Sequence, residues 1–444
     1  MKSHNWHSRM HLAMANLLSR VPIREILRVG HATSLRVATT GLTLVFGIVG
    51  ARILGTETFG AYVSLFAIAG LLSVATSIGL PGLFQREVST SRGSGDRSAL
   101  KPLVQGLLLI NGALALALLV ALALGAIKEA VVLGFCLAGN AAGLLGSLFI
   151  AHERVLFASW IGDVFRPVVA LVALIVFASL TTPTELLPLY AQIMGAAAAF
   201  VLLLVMWRGQ LLSHVRRALA TSWWSDGHAP ILRAGLIFGG TQVLINLTTQ
   251  IDILILTAMA SPTEVAHYYA AVRAAMVINF FFGASGLLAE PALTRLFASG
   301  NIQGVQKLAT STALTGAILT IFATLAAIVI APYYLKLYGS DFIVAFPSFV
   351  VFAAGLAARS LFGPAAPLLR ATRSEMGLLI VTAVVLVMNA VISACLIPFL
   401  GILGAAIGSG IQFAIYGWLL SRILSRRQAF RSDVFSVYRR RDET

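Results

Sequence analysis

Arg52-Ile53-Leu54-Gly55-Thr56-Glu57-Thr58-Phe59-Gly60-Ala61-Tyr62 separates two long apolar runs, residues 37–53 and 62–80. Each run is near or above the roughly 18 to 20 residues that a helix needs to cross about 30 Å of hydrocarbon. Similar runs recur at 103–127, at 131–150 and onward to 403–420. Backbone polar groups in lipid must be satisfied within the segment, so runs of this length are read as helices. They do not alternate in polarity over about 10 residues, as the strands of a membrane barrel would.

Composition agrees. The chain has 444 residues, of which 58% are hydrophobic and 11% charged, with a mean hydropathy of +0.90. A soluble domain carries about 25% charged residues. The sequence therefore specifies an all-α polytopic membrane protein. Its two cysteines, Cys136 and Cys395, both lie in apolar runs and read as small core residues, not as a disulfide framework. Arg9, Arg20, Arg24 and Arg28 interrupt any apolar core of a cleavable leader, and residues 12–29 read as a helix lying on the membrane surface.

Twelve spans are expected, at 33–54, 59–80, 103–125, 130–151, 158–180, 185–207, 231–258, 265–289, 309–331, 343–367, 376–397 and 402–423. With this count, 26 of the 32 Lys and Arg residues fall on one side. That side is the cytoplasm by the positive-inside rule, which places both termini there. The same asymmetry accounts for the net charge of +15 through anionic membrane lipids, so no nucleic-acid partner is expected. The expected units are an interfacial N-terminus at 1–32, a six-helix bundle at 33–207, a central cytoplasmic loop at 208–230, a second bundle at 231–423 and a basic tail at 424–444.

The opening turn returns. Thr56, Glu57 and Tyr62 have counterparts Thr263, Glu264 and Tyr269, each 207 residues later and each at the joint between the first and second span of its half. Six spans per half make the halves parallel repeats, related by a pseudo-two-fold along the membrane normal.

The order of motifs resembles the Wzx-type polysaccharide and O-antigen flippases of the multidrug/oligosaccharidyl-lipid/polysaccharide exporter superfamily. The residues that carry the resemblance are Arg52-Ile53-Leu54-Gly55 with Phe59-Gly60-Ala61-Tyr62, Gly79-Leu80-Pro81 with Arg86, and Asp252-Ile253-Leu254-Ile255 with Glu264 and Tyr268-Tyr269-Ala270-Ala271. Tyr338-Gly339-Ser340-Asp341-Phe342 and Gly401-Ile402-Leu403-Gly404-Ala405-Ala406 continue it. Ala266-His267 departs from it, since the family's second turn usually has glycine there. The resemblance implies a multi-pass protein of the bacterial inner membrane with a lipid-linked glycan as substrate. It also implies polysaccharide polymerase or assembly proteins as partners.

Ionisable groups inside spans cost at least about 2.5–3.5 kcal/mol each, so each calls for a reason. Asp252 lies about 9 Å from the outer end of span seven and Arg273 about 12 Å into span eight, at 1.5 Å per residue. Consecutive antiparallel helices are usually neighbours, so Asp252 and Arg273 are placed to pair, either as a structural salt bridge or as a cation and its partner lining a cavity. Asp163 and Arg166, three apart, are expected to pair along one helix. Arg359 lies deep in span ten and is a lone buried cation. Arg52 sits at a span end, where its functional reading comes from the resemblance. Asn246, Thr249, Gln250, Asn279, Asn389 and Gln412 read as hydrogen bonds between helices.

The chain has no Walker A sequence, no Ser-His-Asp grouping at a shared depth and no long outer loop for glycosyl transfer, so it is not read as an enzyme and no cofactor is expected. His7 and His11, four apart, lie in a solvated basic terminus and do not read as metal ligands. Surplus arginine suits a pyrophosphate, which the forked guanidinium meets bidentately. The expected activity is therefore translocation of polyprenyl-pyrophosphate-linked oligosaccharide by alternating access. Arg52, Arg166, Arg273 and Arg359 would bind substrate, with Asp252 and Asp163 as ion-coupling or ion-pair residues. The alternative is a cation-coupled antiporter of drugs or small metabolites. A membrane glycosyltransferase or ligase would need the outer catalytic loop that the chain lacks.

Overall fold

The computed structural model describes residues 23–94, 100–151, 154–219, 228–372, 374–428 and 432–434. Helices dominate, and no strand occurs among the described residues. In chain order they are α1 (Ile23–Leu54), α2 (Thr56–Thr76), α3 (Leu80–Ser94), α4 (Leu100–Ala123), α5 (Ile127–Ala151) and α6 (Val155–Ser159). A π turn at Trp160–Phe165 leads into α7 (Arg166–Leu180), followed by α8 (Leu187–Leu219), α9 (His228–Met259), α10 (Pro262–Ala298) and α11 (Ile302–Tyr338). A 3-10 turn at Ser340–Ala345 then leads into α12 (Phe346–Ser360), α13 (Ala365–Ala371), α14 (Glu375–Leu400) and α15 (Ile402–Gln428).

Ten stretches among the described residues are long and apolar enough to cross a membrane, and α4 adds the shorter apolar stretch Leu108–Ala123. The 37-residue α10 carries Glu264, Arg273, Glu290 and Arg295 and takes the remaining place among the twelve expected spans. Helices α1–α8 pack among themselves as one bundle and α9–α15 as another. Across the divide, α2 packs along α9 and α10, and α1 meets α10 and α11.

Several boundaries differ from the sequence reading. The second span stops at Thr76, not residue 80, because Ile78 and Gly79 take positive φ values of 45° and 64°. The break brings two backbones together, since a Cβ on Gly79 would lie 2.5 Å from the amide nitrogen of Gly239. The tenth span stops at Ser360 instead of 367; Gly363, at φ 66°, turns the chain before Pro364 opens α13. Helix α8 continues to Leu219, so the stretch read as a central loop is helical over its first part and α9 resumes at His228. The surface helix read over residues 12–29 lies outside the described residues as far as 22, and from Ile23 the chain belongs to α1. His7 and His11 also lie outside them. Cys136 is buried as expected, but Cys395 faces outward from the bundle.

The face carrying the α1–α2 and α9–α10 turns is called the turn face below, and the opposite one the tail face. Toward the turn face the two bundles share a single buried core, which includes Phe46, Phe59 and Tyr62 from the first and Tyr269, Leu335 and Tyr338 from the second. Toward the tail face they have separate cores. Leu83, Phe84, Phe149 and Ile161 centre one, and Leu293, Leu368, Val385 and Leu424 the other. Burying apolar area stabilises by about 25 cal/mol per Å², so the shared core ties the bundles at the turn face, while toward the tail face they touch where Gly79 and Gly82 meet Phe238 and Gly239.

Candidate functional site

The repeated turn occupies equivalent places but is built in two ways. Gly55 alone separates α1 from α2, at φ 76°, a conformation that costs residues with a Cβ dearly. The α9–α10 turn instead uses a capping box. Ser261 accepts from the Glu264 amide at 3.4 Å, and the Glu264 carboxylate accepts from the Ser261 amide at 3.0 Å. Glu57 and Glu264 both lie in a first helical turn, where the helix dipole favours negative charge.

The arginine at the edge of the first turn has a definite task. Arg52 donates through Nε to the Leu337 carbonyl at 2.7 Å and through Nη2 to the Lys336 carbonyl at 2.8 Å. These carbonyls close α11 and lack helical partners. Arg52 of one bundle thus caps a helix of the other. Beside it, the Thr56 hydroxyl donates to Asp341 Oδ2 at 2.5 Å, and His267 Nε2 lies 3.5 Å from the same oxygen.

Beneath these surface ties lies an aromatic joint. Phe59 has its ring centroid 5.8 Å from Tyr62, 5.7 Å from Tyr269 in an edge-on contact and 6.2 Å from Tyr338. The repeated tyrosines of the two halves therefore meet on one phenylalanine. The Tyr338 hydroxyl lies 2.9 Å from that of Tyr334 and fits against Gly47 of α1, where a Cβ would be 2.7 Å from it.

Arg273 is placed in this joint, with its guanidinium 4.7 Å from the centroid of the Tyr269 ring. Tyr62 of the first bundle and Tyr338 of the second are close enough to act on its charge, and the Gln192 side chain lies beside Tyr62. Arg273 Nε is buried and has no hydrogen-bond partner.

The expected Asp252–Arg273 pair does not form. The buried Asp252 carboxylate instead accepts from the hydroxyl of Tyr268, from Ser409 Oγ at 2.9 Å and from the Ile253 amide at 2.9 Å. Adjacent tyrosines on α10 explain this, because Tyr268 turns into the second bundle toward Asp252 while Tyr269 faces the joint. Asn389 continues the polar chain, donating to Gln412 Oε1 at 2.6 Å and accepting from Ser393 at 2.9 Å. The Asn389–Gln412 bond joins α14 to α15, as expected, whereas Ser393 lies one turn along the helix of Asn389 and Gln250 bonds Asn246 within α9 at 3.2 Å.

The expected Asp163–Arg166 ion pair does not occur among the described residues, and Asp163 has a partner elsewhere. Asp163 lies in the π turn, whose wider ring changes the angle between residues three apart. The Asp163 backbone carbonyl accepts the Thr39 hydroxyl of α1 at 2.9 Å. Arg166, half-buried, begins α7 with Pro167 behind it.

Arg359 is enclosed by three rings, with its guanidinium 5.0 Å from the centroid of Phe282, 5.1 Å from Tyr416 and 5.9 Å from Phe413. Sequence reasoning found the arginine but not the cage, whose members come from α10 and α15. No cluster of metal-ligating side chains occurs among the described residues.

The same fold is found in solved structures. An inward-facing multidrug-resistance MATE family transporter of the MOP superfamily superposes with a TM-score of 0.65 at 16% identity, covering 89% of this chain and 99% of that one. The lipid II flippase MurJ, in an inward closed conformation, gives 0.63 at 12% identity over 87% and 86%. A MOP superfamily transporter from Pyrococcus furiosus, described as having a binding pocket of reversed polarity, gives 0.62 at 13% identity over 90% and 96%. The chain thus has the two-bundle fold that these transporters share. Within it, the chain belongs to the polysaccharide biosynthesis protein family, whose model matches residues 29–297. No curated protein sequence matches it.

Proposed function

We propose that this protein is a flippase that moves polyprenyl-pyrophosphate-linked oligosaccharide from the inner to the outer leaflet of the bacterial inner membrane. The observation that supports this most is the placement of Arg273, an arginine with a buried and unbonded Nε, inside the core that the two bundles share. A pyrophosphate supplies the anionic acceptor oxygens that this guanidinium lacks, and their attraction is stronger out of water.

In this reading the tail face is cytoplasmic and the turn face external. The head group enters between the separate inner cores, engages Arg166, Arg273 and Arg359, and its lipid tail stays in the bilayer between the bundles. Arg52, tied to α11 while the joint is closed, becomes available to the departing head group when the joint parts. Anionic lipids surround the basic inner face. Polymerase or assembly proteins would receive the product. Replacing Arg273 or Arg359 by alanine is expected to abolish export in cells while folded protein persists in the membrane. Wild-type export by both folded variants would overturn the assignment.

A second reading, cation-coupled export of small molecules, is favoured by one observation, the buried Asp252 carboxylate held by the hydroxyls of Tyr268 and Ser409. Efflux of small cations that depends on Asp252 and not on Arg273 would favour it.

A further inference from the structure

We infer that Arg273 is the trigger of the turn-face joint, and that an anionic head group opens the joint by drawing this guanidinium away from the tyrosines. The inference rests on the flippase reading and adds to it the coupling between substrate and gate.

The joint has an unusual balance. Its apolar part, Phe59 against Tyr62, Tyr269 and Tyr338, is buried, yet four phenol rings are gathered in one place. Tyr62 is contributed by the first bundle, and Tyr269, Tyr334 and Tyr338 by the second. One cation stands among them, held by the ring face and the hydroxyl of Tyr269 and by no bond at Nε. A ring face and one neutral hydroxyl attract a guanidinium less strongly and less directionally than a pair of charge-assisted bonds to anionic phosphate oxygens. A bound pyrophosphate therefore outcompetes the tyrosines for Arg273.

Moving the guanidinium changes the joint on both sides of the divide. Tyr62 loses the charge that faces it from across the interface, and the groups that stay packed on it, Gln192, Phe46, Phe59 and Phe66, belong to its own bundle. Tyr338 loses the same charge, and its hydroxyl is the group wedged against Gly47. The fit is close enough that a modest shift of either ring separates α1 from the end of α11. Arg52 and Thr56 hang on that same end of α11 and the turn after it, so the surface ties loosen with it. Tyr62, Tyr269 and Tyr338 act here as positioning residues. They set whether Arg273 is committed to the gate or to the head group.

The test reads the joint directly. Ala266 is fully buried and lies four residues after Pro262, on the same helix face, which meets α2. Ala266→Cys in a chain with Cys136 and Cys395 replaced by alanine reports opening through its labelling rate with a hydrophilic maleimide, using purified full-length protein. Farnesyl pyrophosphate serves as the probe, and its binding is measured separately by calorimetry. Labelling is expected to rise several-fold with the probe in this background. It should rise without the probe in Gly47→Ala, Tyr62→Phe and Tyr338→Phe, and should ignore the probe in Arg273→Gln. Binding without any change in labelling would overturn the trigger while leaving the flippase reading intact. Failure of farnesyl pyrophosphate to bind at all would overturn the flippase reading, and the trigger with it. Unchanged basal labelling in all three joint variants would show that the tyrosines do not hold the gate.

Discussion

Gly60 of the first bundle lies directly on the backbone carbonyl of Pro262 in the second, so closely that a Cβ on Gly60 would fall 1.7 Å from that oxygen. Backbone against backbone, neither partner has a flexible end to move aside. The bundles approach so closely at the turn face because this glycine has no side chain, and its counterpart 207 residues on is His267, which serves a different contact with Asp341 and Phe342.

Gly60→Ala is accordingly expected to hold the joint apart. Overpacking of this kind costs about 1–3 kcal/mol, here levied on the closed state alone. Labelling of Ala266→Cys should rise and transport should fall, with little change in protein yield. An unaltered labelling rate would mean that α2 and α10 slide past one another at this point.

The Asp252 network is a stability element whatever else it does. Tyr268→Phe removes a donor from a buried carboxylate and is expected to cost about 1–3 kcal/mol, with a lower Tm in detergent. Ser409→Ala should cost a similar amount, since either variant leaves one hydroxyl and the Ile253 amide on the carboxylate. Equal Tm for all three proteins would contradict the hydrogen-bond assignment.

Arg359→Lys tests the aromatic cage. A planar guanidinium covers ring faces that a compact ammonium does not, so lysine should weaken α10–α12–α15 packing by about 0.5–2 kcal/mol despite keeping the charge. Thermal unfolding of Arg359→Lys beside Arg359→Met separates charge from shape. If lysine matches the wild type, the rings do not hold the arginine.

The bidentate Glu290–Arg370 contact, at 2.8 Å for both bonds, joins α10 to α13. The side chains remain 28% and 42% exposed, so the pair should contribute under about 1 kcal/mol in a double-mutant cycle, and less at high salt. A larger, salt-insensitive coupling would place this pair in a drier environment than its exposure implies.

Hydropathy made the twelve spans and the six-plus-six division legible, because a helix must satisfy its own backbone in lipid wherever it lies in the chain. Single residues that break helices were not legible. Ile78 and Gly79 turn within an apolar run, and the reason is the backbone of Gly239, which is far off in sequence. Side-chain direction was the other blind spot. Asp252 and Arg273 have the right depths to meet, yet one step along α10 exchanges Tyr268 for Tyr269 and sends the two charges to different neighbours. The short tail segment 432–434 carried no signal either. Ser432 Oγ donates to the Phe362 carbonyl at 2.9 Å, and the Val434 amide donates to that of Leu361 at 3.0 Å.

The central claim is vectorial movement of an anionic lipid-linked sugar. Purified protein in sealed vesicles, loaded with a polyprenyl-pyrophosphate-linked sugar on the tail-face side, tests it most directly. A membrane-impermeant glycosidase on the other side reports arrival. Protein-dependent arrival, lost in Arg273→Ala, is the expected result. Arrival at the same rate in protein-free vesicles, or unchanged by Arg273→Ala, would contradict it.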